Sequence, residues 1–275
     1  LARICVERFG FDGIRLTGGE PTVRAHITRL VEKLAALGVD LAMTTNGATL
    51  RHSAHDLRAA GLRRINISLD TLDRAKFERM TRRDELDHVL LGIAAAREAG
   101  FDPVKINAVI ERGVNDDEIV DLARFGRDHG VEMRFIEFMP LDASDEWQRA
   151  KVVGQDEIVA AIHAEWPVEV VPARGAAPAN MWRYLDGVGR VGVIPTVTKP
   201  FCGDCDRVRL TADGQFRTCL FATDEFDLRA ALRSGETDDE IAARIERAVG
   251  TKWAGHQINQ VNFIRPKRTM SQIGG

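Results

Sequence analysis

The chain has 275 residues, 44% hydrophobic and 29% charged, with a formal net charge of -3 and a mean hydropathy of -0.18. That length buries a sizeable core without help from metal, and the composition is that of an ordinary globular protein rather than a disordered one. The slight negative charge excludes a general binder of nucleic acid, so any phosphate has to be held by a local group of cations. No apolar run approaches the roughly 20 residues that span a bilayer and no charged-then-apolar leader is present, so a cytoplasmic protein without membrane association is expected.

The first residues, Leu1, Ile4, Cys5 and Phe9, trace one face of a helix, and a start inside a helix without Met points to a natural N-terminus further upstream. Apolar β-type runs at 13–17, 41–45, 64–69, 104–110 and 132–138 then alternate with helical patterns near 25–37, 53–60, 85–99 and 116–129. Gly38, Gly61, Gly100 and Gly130 close helical stretches, where a left-handed C-cap favours glycine. This βα alternation predicts an α/β fold with parallel strands buried on both faces. Five units are too few for an eight-stranded barrel, so a partial barrel and an open doubly wound sheet both fit. Either one gathers ligands at the carboxyl ends of its strands.

The pattern changes after Met139 and Pro140. A polar connector at 141–154 leads to a helix at 155–165, strand-like pieces at 168–171 and 181–194 around a Pro/Ala/Gly-rich loop, and then a cysteine cluster. Helices near 225–234 and 237–249 and a polar tail complete the chain. Residues 1–140 are therefore expected to form a βα core, and residues 141–275 a smaller C-terminal layer that carries metal.

Polar residues collect at the predicted strand ends. Gly18, Gly19 and Glu20 follow the first strand, where paired glycines let backbone approach a ligand and a carboxylate can accept from an ammonium group. A turn can use two glycines for sterics alone. Thr44, Thr45, Asn46 and Gly47 end the second strand, suited to a polar ligand or to capping the next helix. Ser68 and Asp70 close the third, and Lys105 and Asn107 share one face of the fourth. A lysine in a buried parallel strand is costly unless paired, which favours a bound anion or a carboxylate partner.

Cys202, Cys205 and Cys219 lie within eighteen residues. In a reducing compartment such a cluster indicates metal before disulfides. Closed structural zinc takes four protein ligands, and Asp204, Asp206 and distant His256 are weak candidates for the fourth. Three thiolates with an open position suit an iron–sulfur cluster better. Arg207 and Arg209 follow on one face of a presumed strand, where guanidiniums would grip a polyphosphate. Cys5, alone on its helix, reads as a small core residue.

Taken in order, residues 15–21, 44–47, 64–70 and 134–140, the three clustered cysteines and the terminal Gly274-Gly275 closely resemble the GTP 3′,8-cyclase family of radical S-adenosylmethionine enzymes, which act in molybdenum-cofactor synthesis. The resemblance implies a partial (β/α)6 barrel with a smaller α+β C-terminal layer carrying an auxiliary 4Fe–4S cluster. Gly18, Gly19, Glu20, Ser68 and Met139 match positions that bind S-adenosylmethionine. Arg15, Thr44, Lys105, Arg207 and Arg209 match positions around GTP, and Cys202, Cys205 and Cys219 match ligands of the auxiliary cluster, whose open iron meets guanine. Gly274 and Gly275 resemble a tail that reaches the active site. In the family a 5′-deoxyadenosyl radical takes hydrogen from ribose C3′, and the carbon radical then attacks guanine C8.

The chain departs from that family's pattern near its start, where a strand and an arginine expected to help bind the triphosphate are absent and Gly13 stands in place of a common basic residue. The family's Cys-x-x-x-Cys-x-x-Cys motif, which binds a second 4Fe–4S cluster that cleaves S-adenosylmethionine, is absent here too. The expectation is that this polypeptide is inactive as given, that the second cluster comes only with an upstream segment, and that the full-length protein is active. The resemblance also implies cyclic pyranopterin monophosphate synthase as downstream partner, no nucleic acid, and compatibility with a homodimer. A zinc-stabilised nucleotide-binding protein and a radical enzyme acting on a peptide are the competing readings.

Overall fold

The structure is a computed structural model that describes residues 1–275 apart from 142–146, 173–174, 253–254, 256–257, 259–262 and 274–275. Its first helix, α1 (Ala2–Phe9), leads into β1 (Gly13–Leu16), α2 (Ile27–Ala35), β2 (Asp40–Thr45), α3 (Ala54–Ala59), β3 (Arg64–Ser68), α4 (Arg74–Thr81) and α5 (Leu86–Glu98). The alternation continues with β4 (Val104–Ile110), α6 (Ile119–Asp128) and β5 (Glu132–Glu137). Then come α7 (Gln155–Glu165) and three strands, β6 (Val168–Val171), β7 (Asn180–Tyr184) and β8 (Arg190–Ile194).

These eight strands form one sheet in the order β1-β2-β3-β4-β5-β8-β7-β6. Strands β1 to β5 run parallel, β8 joins β5 in parallel, and β7 and β6 extend that edge antiparallel. Each of the first five strands lies beside its predecessor without reversal, and right-handed crossovers then set the helices on one face. That winding is a partial barrel; a doubly wound sheet would reverse its order at a switch point.

Period-two alternation decides which residues face inward. In β4, Val104, Ile106, Ala108 and Ile110 are buried towards the helices, while Lys105, Asn107 and Val109 are half-buried on the other face. The helix-facing residues join Leu41, Met43, Ile65, Ile67, Phe135, Leu122 and Ile158 in the main core. Parallel register carries the inner face from strand to strand. Thr44 lies beside Asn66, Asn66 beside Lys105 and Lys105 beside Glu132, and the next row is Ser68, Asn107, Arg134 and Gly192.

A smaller layer follows: β9 (Arg209–Leu210), β10 (Gln215–Arg217) and β11 (Phe226–Asp227) form an antiparallel sheet, with α8 (Leu228–Arg233) and α9 (Asp238–Gly250) behind it and α10 (Met270–Ile273) near the chain end. Ile4 of α1 is buried in this layer's own core with Phe216, Leu228, Ile241 and Ile245. Ion pairs Arg3–Asp238 and Arg8–Asp239, 2.6 Å each, border that contact. Cys5 is half-buried against the same core.

Close backbone packing fixes the loop after β2. Gly47 has φ 79, which an L side chain rarely adopts. A Cβ on Gly92 of α5 would stand 2.2 Å from the Gly47 carbonyl oxygen, so the helix lies directly on this loop. Gly92→Ala, although it improves helix propensity, is expected to destabilise by roughly 1–3 kcal/mol through overpacking, measured as a lower denaturation midpoint; a midpoint at or above that of the unchanged protein contradicts the packing account.

Candidate active site

The inner face of the barrel is strongly cationic. Arg64 bonds Asp40 through Nε at 3.0 Å, and Arg134 bonds Glu132 at 2.7 and 2.8 Å, so each has a carboxylate of its own. Lys105 stands between these pairs, and among the described residues no salt bridge reaches it. Burial and then repulsion from Arg134, with further repulsion from Arg64 and Arg15 against attraction from Glu132, pull its ammonium group down to about 8. Arg15 is open to the concavity yet ringed by protein, and its guanidinium is 3.4 Å from Thr44 Oγ1. Desolvation first, and then Arg64, Arg134 and Arg207, pull it down to about 10. Asn66 Oδ1 also faces Arg15 once its amide is oriented to satisfy both its atoms.

The strand ends above this wall are tied by carboxylates. Glu20 Oε1 accepts from Thr22 N at 3.0 Å and from the Thr22 and Thr45 hydroxyls at 2.6 Å, while Oε2 accepts from Asn46 N at 2.6 Å. Thr22 is thereby capped and the β2 exit is bound to the β1 exit. Gly18 has φ 129 and requires glycine for that reason, whereas Gly19 has no left-handed φ, and a Cβ there would meet no atom within 4 Å. Nothing in the fold itself demands a glycine at 19. Asp70 Oδ1 accepts Val109 N at 2.8 Å and extends the β3–β4 ladder by one rung; burial pushes its carboxyl up to about 6. Asn107 Oδ1 is buried without a hydrogen-bond partner among the described residues.

Glu137 is 0% exposed and joins the barrel to the cysteine segment. Its carboxylate accepts Gln155 N at 3.0 Å and Val197 N and Thr198 N at 2.7 Å, and bonds the Thr198 hydroxyl. The chain leaving this anchor reaches the short turn Cys202–Asp204, where Cys205 N bonds Cys202 O at 3.2 Å. Strand β10 pairs antiparallel with β9, Arg217 opposite Arg209, so Cys219 just beyond β10 runs back towards Cys205 and Arg207. Half-buried Arg209 is lowered by desolvation and by Arg207, and is attracted by both Cys219 and Cys205.

The surroundings of Cys205 favour a thiolate. Burial alone would raise its thiol, but the Arg207 backbone N–H, the guanidinium at 3.5 Å and Lys252 Nζ at 3.9 Å hold it below the ordinary value. Lys252 is held there by Arg207 O at 2.7 Å. A thiolate is the form that ligates metal. Among the described residues no three His, Cys, Asp or Glu side chains converge on one point as they would around a single ion; a cubane binds its thiolates on separate irons and accepts wider spacing.

The structure thus brings Arg15, Thr44, Lys105 and Arg207 into one electrostatic neighbourhood and sets Arg209 beside Cys205 and Cys219. Gly18, Gly19 and Glu20 follow β1 and Ser68 ends β3, with β2 between them, and Met139 packs in a small core with Val197, Phe221 and Phe263. Gly274, Gly275 and His256 lie outside the described residues. Sequence reasoning did not single out Asn66, Lys252 or the anchoring role of Glu137; only inward periodicity could have marked Asn66.

Comparison with known proteins decides the family. The radical SAM superfamily profile matches residues 1–126 and the Molybdenum Cofactor Synthesis C profile residues 131–258. The GTP 3′,8-cyclase of Mycobacterium sp. (strain KMS) is 50% identical over 280 residues, covering 100% of this chain and 79% of that protein. The GTP 3′,8-cyclase of Streptomyces coelicolor is 50% identical over 279 residues, covering 100% and 82%. The chain belongs to the GTP 3′,8-cyclase family. It is accordingly a radical SAM enzyme, and that superfamily works with S-adenosylmethionine and a 4Fe–4S cluster. Among solved structures, Streptococcus suis SuiB bound to S-adenosylmethionine shares the fold, with TM-score 0.58 and 13% identity over 94% of this cyclase-family chain and 64% of SuiB.

The remaining thiol of this cyclase-family chain contrasts with Cys205. Burial raises Cys5. In metal-free protein at neutral pH, iodoacetamide is expected to label Cys205 severalfold faster than Cys5, as read by peptide mass mapping, with the difference reduced in Arg207→Gln. Equal rates would contradict the thiolate environment.

Proposed function

We infer that the full-length enzyme to which this chain belongs cyclises GTP to (8S)-3′,8-cyclo-7,8-dihydroguanosine 5′-triphosphate at the mouth of this barrel, the chain as given being inactive for want of the Cys-x-x-x-Cys-x-x-Cys motif. The observation that carries this reading is that Arg15, from the barrel wall, lies within electrostatic range of Arg207, from the cysteine hairpin. A ligand between them would have its phosphates among Arg15, Lys105, Arg207 and Arg209, and Thr44 beside them as a neutral hydrogen-bonding group. These cations would neutralise the triphosphate and orient ribose against purine, a positioning contribution rather than bond chemistry. Gly274 and Gly275 belong to the same reading as the tail at the substrate.

Cys202, Cys205 and Cys219 would hold the auxiliary 4Fe–4S cluster, which would supply a Lewis-acidic position for the guanine. The thiolate-favouring surroundings of Cys205 fit that group. For S-adenosylmethionine, Glu20 Oε2 accepts one hydrogen bond and would take an ammonium donor as its next, Gly18 and Gly19 leave open backbone beside it, Ser68 pairs in register with Asn107 and its unsatisfied acceptor, and Met139 follows the end of β5. Bound S-adenosylmethionine with its own cluster supplies the one-electron chemistry. The residues of this chain do not fit that second cluster, since Cys5 is the one cysteine left and burial keeps it protonated; no step is derived through it. The reading carries cyclic pyranopterin monophosphate synthase as the consumer of the product, a cytoplasmic setting, and compatibility with a homodimer. Among the described residues no helix is long and apolar enough to cross a membrane.

Anaerobic reconstitution with iron and sulfide is expected to give the visible absorption of one 4Fe–4S cluster, lost on Cys→Ala change at the three positions; tightly held zinc without that absorption would sink the reading. Arg207→Ala and Arg209→Ala are each expected to weaken GTP binding about ten- to hundredfold, the scale of one charge-assisted hydrogen bond, measured by calorimetry. Undiminished affinity removes the arginine concerned from the site.

Lys105 gives a pH signature. Its folded value of about 8 lies below the ordinary lysine value of 10.5, so keeping it charged costs stability below pH 8 and that cost fades as pH rises towards the ordinary value. A bound polyanion raises it again. GTP binding at pH 8 is therefore expected to take up a net fraction of a proton, up to about half, detected as a buffer-dependent binding enthalpy. Lys105→Met should abolish the uptake without lowering the melting temperature at pH 7; uptake unchanged in that variant would assign the proton elsewhere.

A further inference from the structure

The C-terminal segment returns over the cysteine layer and makes contacts that neither the barrel nor the substrate cations account for. Phe263 meets Phe221 edge-on, ring centroids 6.0 Å apart, two residues beyond Cys219. Arg268 then forks between two carboxylates of the hairpin layer. It bonds Asp213 at 2.8 and 3.2 Å and Glu225 at 2.6 and 2.8 Å. Asp213 lies in the turn that joins β9 to β10, and its carboxylate is held down to about 2, first by Arg268 and then by Thr211. Further on, Met270 N bonds Leu141 O at 3.2 Å, just past the β5 exit, and Ile273 is 3% exposed.

Glu225 has a second partner. The Arg217 guanidinium, 2% exposed, bonds Glu225 and also the Ala222 and Leu220 carbonyls, which follow Cys219. A buried guanidinium that lost its carboxylate would be left uncompensated, so the position of Glu225 controls where Arg217 and its carbonyl partners settle. Arg268 is thus connected through Glu225 and Arg217 to the loop that carries Cys219, and through Met270 to the mouth of the barrel.

We propose that residues 263–273 form a strap, and that Arg268 is a positioning residue that sets the Cys219 loop by holding Glu225 against Arg217 and clasping the β9–β10 turn at Asp213. The strap stands on geometry alone; its consequence for iron rests on the reading of Cys219 as a cluster ligand given above. An arginine suits the role because its planar fork engages both carboxylates at once, whereas lysine offers the charge without the fork.

The test is hydrogen exchange with peptide-resolved mass spectrometry on the complete chain, metal-free, with iodoacetamide labelling of Cys219 alongside. Arg268→Ala is expected to speed exchange across residues 215–221 about tenfold or more and to raise Cys219 labelling, with Arg268→Lys restoring most of both. Asp213→Asn, which leaves the Arg217–Glu225 pair intact, is expected to give a smaller change in the same peptide and keeps the test decisive should Arg268→Ala not fold. Faster exchange confined to residues 263–273, with 215–221 and Cys219 unaltered, would overturn the proposal. After reconstitution, Arg268→Ala should release iron to a chelator faster than the unchanged protein. Failure of the unchanged protein to take up iron would count against the cluster reading and leave the strap standing.

Discussion

Lys105 and Arg15 stand on a concave wall with further cations beside them, and that crowding is the constraint on which the site depends. The carboxylates of the wall are already engaged, Asp40 by Arg64 and Glu132 by Arg134. Charge placed where water is scarce and like charge is near costs free energy, and both groups are accordingly shifted towards their neutral forms. A polyanion is the ligand that reverses this cost, because it supplies the counter-charge that the fold withholds. The net charge of -3 makes the wall a local feature, set inside a molecule whose overall field attracts no general polyanion.

Rigid strand ends convert this charge into a site. Glu20 and Glu137 are carboxylates used as multiple acceptors, one tying the β1 exit to the β2 exit and the other tying the β5 exit to α7 and to the chain that leads into the cysteines. Buried carboxylates satisfied by several backbone N–H groups hold geometry better than side-chain packing alone, since leaving any one donor unpaired is costly. Helix α5 adds a steric lock on the loop after β2 through the Gly92–Gly47 approach. The smaller layer is seated by α1 on one side and by the C-terminal segment on the other, so elements distant in sequence bracket the cysteine hairpin.

Much of the architecture was legible in the sequence because each signal was local. The period-two run of β4 matches the observed Val104–Ile110, and the helix expected at 155–165 matches Gln155–Glu165. Helix α4 was not expected, since Phe77 is the one buried side chain along it and no apolar stripe marks it; only the Asp73 cap announces its start. Sequence also left open whether the sheet was wound once or twice, which required strand order, and gave no sign that β8 would join β5 across an intervening helix and hairpin. For the site, residue types at strand ends suggested ligands, and spacing suggested a metal-binding turn. That Arg207 would come within electrostatic range of Arg15, that Glu20 would divide its acceptor capacity between its own loop and the β2 exit, and that Arg268 would reach Asp213 and Glu225 are long-range facts fixed by packing.

Crystals of the anaerobically reconstituted protein with GTP, measured at the iron and zinc absorption edges, test the central claim most directly. The account predicts iron scattering ringed by Cys202, Cys205 and Cys219, with phosphate oxygens of one nucleotide within hydrogen-bonding distance of both Lys105 and Arg207. A zinc peak with four protein ligands at those cysteines, or a nucleotide bound away from the cationic wall, would contradict it.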